Sequence, residues 1–434
     1  MKRPVSRSIW ALGAGLALVL GLLLALGGFR WHPARGPQPP RIESEAHGAG
    51  LLLAGVAELP LPVSPDTPLG GFPRLVWTNE GVRDPVAVRA LVLSEPGCTV
   101  ALVSAEILLV PGKLARTVEQ RVTDLGIDAV VLGATHTHAG PGGYFDDALG
   151  ERIATGPYGR ARFEEVAERI VEAVRAAAAA RAPAVLSTAR ADLHGLARNR
   201  DGGPVDGRLL AVRLSRPSGE RVSEVLVFPA HPTLLGGENR RISGDWPGHL
   251  MRAVGPGTLF FQGAGGDQSA VVPGHPALPH VSFGRALAAR VGALRFATPS
   301  PAPELATAVA SVVLPAPEPG APPPFLRRLA SNVLYRIAPA RGRVVAVRLG
   351  PALLLAVPAE PVAEVGRRWR EAAGDGAEVV SLAGDYLGYV ETSELMSERL
   401  GETQRTYYGP ELADRLGSAA RAAARAADGK GETP

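Results

Sequence analysis

The chain has 434 residues, enough for one large domain or two ordinary ones, and 46% hydrophobic composition gives it a sizeable core to bury. Its net charge of +4 comes without any Lys/Arg run interleaved with aromatics, which argues against nucleic-acid binding. The single cysteine, Cys98, excludes an internal disulfide and a cysteine-based metal cluster, so any metal would need His, Asp, Glu or Tyr.

The N-terminus carries Lys2, Arg3 and Arg7 ahead of an apolar run from Ile9 to Phe29. That run is long enough to cross a hydrocarbon layer of about 30 Å as a helix. It also exceeds the usual signal-peptide core of about 7–15 residues and lacks a clear A-x-A site. Residues 1–30 therefore read as a signal anchor, with a cleaved signal peptide as the alternative. The positive flank stays cytoplasmic, which puts the rest of the chain outside: periplasmic or at the cell surface, or secreted if the segment is cleaved. Residues 31–49, including GPQPPR, read as a linker.

From Leu51 the pattern becomes globular, and residues 50–428 read as a single domain. LLLAGVAELPL, VRALVLSE and TVALVSAEILLV predict buried strands. KLARTVEQRVTDLG has helical spacing, and DAVVLGATHTH predicts a strand that runs into two histidines. RARFEEVAERIVEAVRAAAAAR is the clearest amphipathic helix. Beyond Pro183 come further apolar runs ending in AHP, QGAGG, VPAE and GDYLGYV, interleaved with helical patterns. PAPEPGAPPPF reads as a surface loop, PELADRLGSAARAAARAA as a closing helix, and 429–434 as a frayed tail. The fold class is α/β: mixed β-sheets with flanking helices, one catalytic domain behind an N-terminal membrane helix.

Five clusters carry candidate chemistry. In Thr135-His136-Thr137-His138, residues two apart on a strand share a face, so both rings could line one pocket. The AGPGG loop that follows allows close backbone approach. His231 ends the apolar run VLVFPA, and Asp245 beyond it could orient a ligand or cap a helix. Asp267 and Ser269 stand among glycines, without a G-x-S-x-G elbow. Glu360 and Tyr389 each lie at or in an apolar run.

In this order the clusters resemble neutral (non-lysosomal) ceramidases, whose THTHSGP, HPT…SGD, GDVSP, PGE…GRR and tyrosine-rich segments correspond to THTHAGPGGY, HPTLLGGENRRISGD, GGDQSA, PAEPVAEVGRR and YLGYVET…YYGPEL. The resemblance spans roughly residues 50 to 415. It implies a zinc amidase that cleaves the N-acyl bond of ceramide, a lipid amide, to a sphingoid base and a fatty acid. It implies zinc held by His136, His231, Glu360 and Tyr389, with His138 beside the metal, Arg200 at the substrate and Ser269 as nucleophile or substrate contact. Two imidazoles and a carboxylate suit zinc. The membrane would be a partner through the N-terminal helix; oligomeric state stays open. One departure is Gly401, which stands where the family has a tyrosine beside the reacting amide. Zinc hydrolysis of another N-acyl amide or an ester, or a non-catalytic binding module on the same fold, are the alternative readings.

Overall fold

The computed structural model describes residues 32–147 and 150–430, together with Gly15, Leu18 and Gly21. The signal-anchor segment and the last tail residues thus lie almost wholly outside the described residues. Among the described residues no helix is long and apolar enough to cross a membrane.

In chain order the strands are β1 (Arg41–His47), β2 (Leu53–Pro60), β3 (Ala87–Glu95), β4 (Cys98–Ala105), β5 (Ala129–Ala134), β6 (Ala182–Pro183), β7 (Val185–Asp192), β8 (Ala197–Asn199), β9 (Arg208–Ser215), β10 (Arg221–Phe228), β11 (Thr258–Gln262), β12 (Gln268–Ala270), β13 (Leu305–Val313), β14 (Arg341–Leu349), β15 (Ala352–Ala356), β16 (Glu360–Pro361), β17 (Ala377–Val380) and β18 (Tyr389–Val390). The α-helices that frame them are α1 (Gly112–Arg121), α2 (Arg160–Ala179), α3 (Asp245–Val254), α4 (Pro279–Gly292), α5 (Pro324–Leu334), α6 (Ala363–Ala373), α7 (Ser393–Glu398) and α8 (Glu411–Ala427).

Three sheets form the body, in the orders β5-β4-β3-β2-β6, β1-β13-β14-β15-β17 and β11-β10-β9-β7. Each gives one face to a shared core in which Leu91, Leu102, Leu210, Phe261, Val347 and Leu354 meet. Helices cover the opposite faces. This is why β3 is buried at every position, where a half-solvated strand would alternate. Helix α2 follows its pattern closely: Phe163, Val166, Ala167, Ile170, Val171 and Val174 form the buried stripe against the first sheet. Burying each large apolar side chain contributes about 1.5–3 kcal/mol. Helices α6 and α8 cover the second sheet, and α3 and α4 the third.

The linker reading fails over residues 41–47. RIESEAH forms β1 and pairs antiparallel with β13 at the edge of the second sheet. Its residues are mostly exposed and polar, the composition of a protected edge strand, so hydropathy alone does not distinguish it from a linker.

The three sheets are mixed. Each contains one parallel pair: β4 with β5, β10 with β11, and β15 with β17. Loops leaving the C-terminal ends of these strands are stitched together: Ser381 N donates to Gln262 O, Ala134 N to Leu382 O, and Gly384 N to Leu132 O. Ligand sites in open α/β sheets form outside such strand ends.

Candidate metal centre

His136 comes from the first sheet, His231 from the third, and Glu360 from the second, each a few residues past a strand end. The strand β5 stops at Ala134. His136 then adopts φ +67°. A non-glycine residue there costs about 1–3 kcal/mol. The two-apart argument for His136 and His138 therefore does not hold as stated, since neither lies in a strand. The rings meet nonetheless, with Nε2 to Nε2 at 3.3 Å. The turn is held by His136 N to Ile107 O at 3.1 Å.

Both His136 and His231 are oriented by backbone carbonyls. His136 Nδ1 lies 2.7 Å from Leu108 O, and His231 Nδ1 lies 2.8 Å from Gly265 O. A carbonyl accepts only, so each Nδ1 carries the proton and each Nε2 keeps its lone pair. Those lone pairs point to one place. Glu360 Oε2 is 3.0 Å from His136 Nε2 and 3.3 Å from His231 Nε2. Tyr389 Oη is 2.9 Å from His231 Nε2. Glu360 and Tyr389 are register partners in the two-residue parallel bridge of β16 and β18, which sets them side by side.

Glu360 Oε2 is buried and has no hydrogen-bond partner among the described residues. Acceptors facing acceptors at these spacings fit a shared cation: ligands about 2.0–2.1 Å from a tetrahedral zinc stand about 3.3 Å apart. His136, His138 and His231 also form one group whose donor atoms lie within 4.8 Å of one another.

Electrostatics follow from burial. It opposes charge on His136, but Glu360 outweighs it and raises that pKa. At His231 burial prevails and the pKa is lowered. Burial would raise Glu360, yet His136 and His231 hold it well below the usual carboxylate range. Burial, then His136 and His231, push His138 well below its ordinary value, so it is a neutral base at physiological pH. Burial and then Glu360 push the Tyr389 phenol well above its ordinary range.

Around this centre stand further groups, of which Tyr386, Glu402 and Phe72 are not singled out by the sequence. Tyr386 donates from its hydroxyl to Glu360 Oε1 at 2.8 Å. Glu402 holds Arg200 through its carboxylate at 2.5 Å, and Arg200 also donates to Gly266 O. Phe72 packs on His138 with ring centroids 5.0 Å apart. Ser269 lies in β12 and forms a backbone bridge with His231, next to the centre. Asp245 opens α3 with φ +50°, accepting from Trp246 N and Leu235 N; it orients that loop. Tyr386 is hidden inside GDYLGYV, and Glu402 follows the glycine that marks the departure. Gly401 has φ +58°, and a Cβ there would sit 2.4 Å from Glu391 Oε2. A tyrosine does not fit that position without rearrangement. A cavity of about 480 Å³ has Phe145, Leu334, Ile337, Tyr386 and Tyr407 in its walls; it adjoins the centre only through Tyr386, which bonds Glu360.

Residues 62–253, which contain His136, His138, Arg200 and His231, match the family described as neutral/alkaline non-lysosomal ceramidase, N-terminal. Over 214 residues the chain is 32% identical to the neutral ceramidase of Mycobacterium tuberculosis, a stretch that is 43% of this chain and 33% of that protein. Over 137 residues it is 31% identical to neutral ceramidase A of Dictyostelium discoideum, covering 28% of this chain and 19% of that protein. The matched stretches thus span a third or less of these relatives. The crystal structure of neutral ceramidase from Pseudomonas aeruginosa superposes with a TM-score of 0.75 at 18% identity, over 88% of this chain and 75% of that one. At that identity the likeness concerns the fold; over residues 62–253 the chain is similar to the N-terminal part of neutral/alkaline non-lysosomal ceramidases, and the three likenesses together support that family.

Proposed function

We propose that the chain is a zinc-dependent amide hydrolase that cleaves the N-acyl bond of ceramide or a ceramide-like lipid amide. The observation that carries this reading is the convergence of His136 Nε2, His231 Nε2, Glu360 Oε2 and Tyr389 Oη, with separations of 2.9–3.3 Å. These four would hold zinc. Bound there, zinc supplies Lewis acidity toward the amide carbonyl and acidifies water to about pKa 7. The remaining steps belong to side chains. Neutral His138 takes the proton of the attacking water and returns it to the leaving amine. Arg200, fixed by Glu402, faces the developing negative charge. Tyr386 keeps Glu360 in its ligating orientation. Ser269 contacts substrate and forms no covalent intermediate.

The cavity beside Tyr386 combines Phe145, Leu334, Ile337 and Tyr407 with charged walls that include Lys113, Arg116 and Asp146, and its apolar side would take an acyl chain or sphingoid tail. In this reading the domain works outside the cytoplasm, carried by residues 1–30, and meets its substrate in the bilayer. Gly401 favours a second reading, in which the same centre hydrolyses a different N-acyl amide: the tyrosine expected beside the amide is missing, and Glu391 occupies its space.

The test is release of labelled fatty acid from ceramide by the full chain in detergent, with zinc and after chelation. Zinc-dependent release is expected. A folded, zinc-loaded protein that leaves ceramide intact but cleaves a shorter N-acyl amide would establish the second reading. His136→Ala should lose the zinc of this centre and turnover together while the circular dichroism stays native. Ser269→Ala should keep its zinc, and an acyl-enzyme detected by mass spectrometry on the unmodified protein would overturn the water-attack mechanism.

A further inference from the structure

A second group of donors lies outside this centre. Asp84, in the segment before β3, His249 on α3 and His280 in the first turn of α4 have ligand atoms within 4.8 Å of one another. They are brought together by close packing of the two helices. A Cβ on Gly284 of α4 would sit 2.8 Å from His249 Cβ, so the helices touch there, one turn along from His280. The His249 and His280 rings are 5.2 Å apart.

Within the group His249 and Asp84 stand at ion-pair distance; burial would raise the Asp84 pKa, but His249 and Ser243 outweigh it and lower that pKa. His249 Nε2 is 3.2 Å from Asp84 Oδ1, yet it lacks the alignment of a hydrogen bond. His280 is 3% exposed, and its Nδ1 has no hydrogen-bond partner among the described residues. Asp84 Oδ2, the oxygen not in contact with His249, accepts from Ser243 Oγ at 2.6 Å. An oxygen free for a cation and its twin held by a hydroxyl is the arrangement of a ligating carboxylate. The 3.2 Å contact is also close to the edge of about 3.3 Å expected in a tetrahedral zinc site. The third donor, within 4.8 Å of the others, has to approach by at most about 1.5 Å to reach that spacing. Asp84 and His249 are 17% and 16% exposed, which leaves the fourth position to water. Arg83 and Arg252 stand nearby; Arg252 is turned to Pro85 O and toward Glu106.

We infer that Asp84, His249 and His280 form a second zinc site, with an open fourth position, that ties α3 to α4. It is independent of the proposed reaction. Its position gives it a mechanical consequence: Ser243, which holds Asp84, accepts from Thr137 Oγ1 through its carbonyl at 2.8 Å and donates from its N–H to Ala139 O at 2.8 Å. The site therefore braces the turn that carries His136 and His138.

The test is metal stoichiometry of the full chain in detergent, equilibrated with Zn²⁺ alone and measured by atomic emission. The unmodified protein should hold two equivalents, His249→Ala one, His136→Ala one, and the double variant none. Cobalt substitution gives a separate readout. His136→Ala loaded with Co²⁺ should retain the visible bands of a tetrahedral site, and His249→Ala should remove the contribution of this one. If His249→Ala fails to fold, Asp84→Asn and His280→Gln each remove one donor at nearly constant size and should show the same loss of one equivalent. One equivalent in the unmodified protein, lost in His136→Ala and kept in the Asp84, His249 and His280 variants, would overturn the inference. No zinc at all in His136→Ala would do the same. Failure of ceramide hydrolysis with two equivalents bound would touch only the proposed function.

Discussion

Glu360 and Glu378 are both 3% exposed, and both belong to the second sheet or its loops. They differ in what surrounds them. Glu378 accepts from Arg370 and Val379 N through one oxygen and from Arg208 through the other. Arg370 in turn is paired with Asp206 at 2.7 Å. Glu360 receives one hydroxyl, from Tyr386, and its other oxygen faces the lone pairs of two imidazoles. Burial alone therefore does not mark a functional carboxylate. The supply of donors does: a buried charge with its donors is structural, and one without them points to a ligand.

The sharpest way to break this contrast is to neutralise each side. Glu360→Gln should lower turnover at least about a thousandfold, some 4 kcal/mol of barrier, while the zinc-free protein melts no lower than before. A matching loss of stability would make Glu360 a structural residue. Arg370→Met should do the reverse. It leaves Asp206 and Glu378 buried without their shared cation and should cost about 3–5 kcal/mol in denaturant titration, with turnover per folded molecule retained. Tyr386→Phe leaves Glu360 Oε1 without its donor and should weaken zinc affinity or turnover by about 10–100-fold, read from a chelator competition.

Smaller effects refine the picture. Gly401→Ala puts a Cβ at positive φ against Glu391 and should cost about 1–2 kcal/mol of stability. An unchanged melting curve would mean that the loop yields, and would reopen that position to a larger residue. At the bottom of the scale is Cys98. Burial, then Asp128 and Glu95, push its thiol up to about 12. Its reactive thiolate appears only as pH approaches that value, so iodoacetamide at pH 8 should leave it unmodified in the folded protein and label it after unfolding.

How much of this is legible in the sequence varies by residue. The α/β class, helix α2 and the His136 and His231 clusters can be read because apolar period and strand ends are local signals. The common face of His136 and His138 rests on strand geometry that stops at Ala134; a left-handed turn, invisible to periodicity, brings the rings together. Glu360 and Tyr389 need the family resemblance, because a bridge of two residues has no period to detect. Strand β1 is lost to its polar edge composition. The Asp84–His249–His280 group comes from three separate stretches, none of which is a motif, and only the crossing of α3 and α4 assembles it.

The stitching of three sheets at one point has a consequence for how the protein folds. An ion held by His136, His231 and Glu360 would cross-link all three sheets at once, so no sheet could open alone without releasing it. Metal binding and global folding then become a single linked equilibrium. Free ion at a thousand times its dissociation constant would add about 4 kcal/mol to the stability of the whole domain. Native-state hydrogen exchange should register this as protection that rises together in β5, β10 and β15, one strand from each sheet, and falls together on chelation.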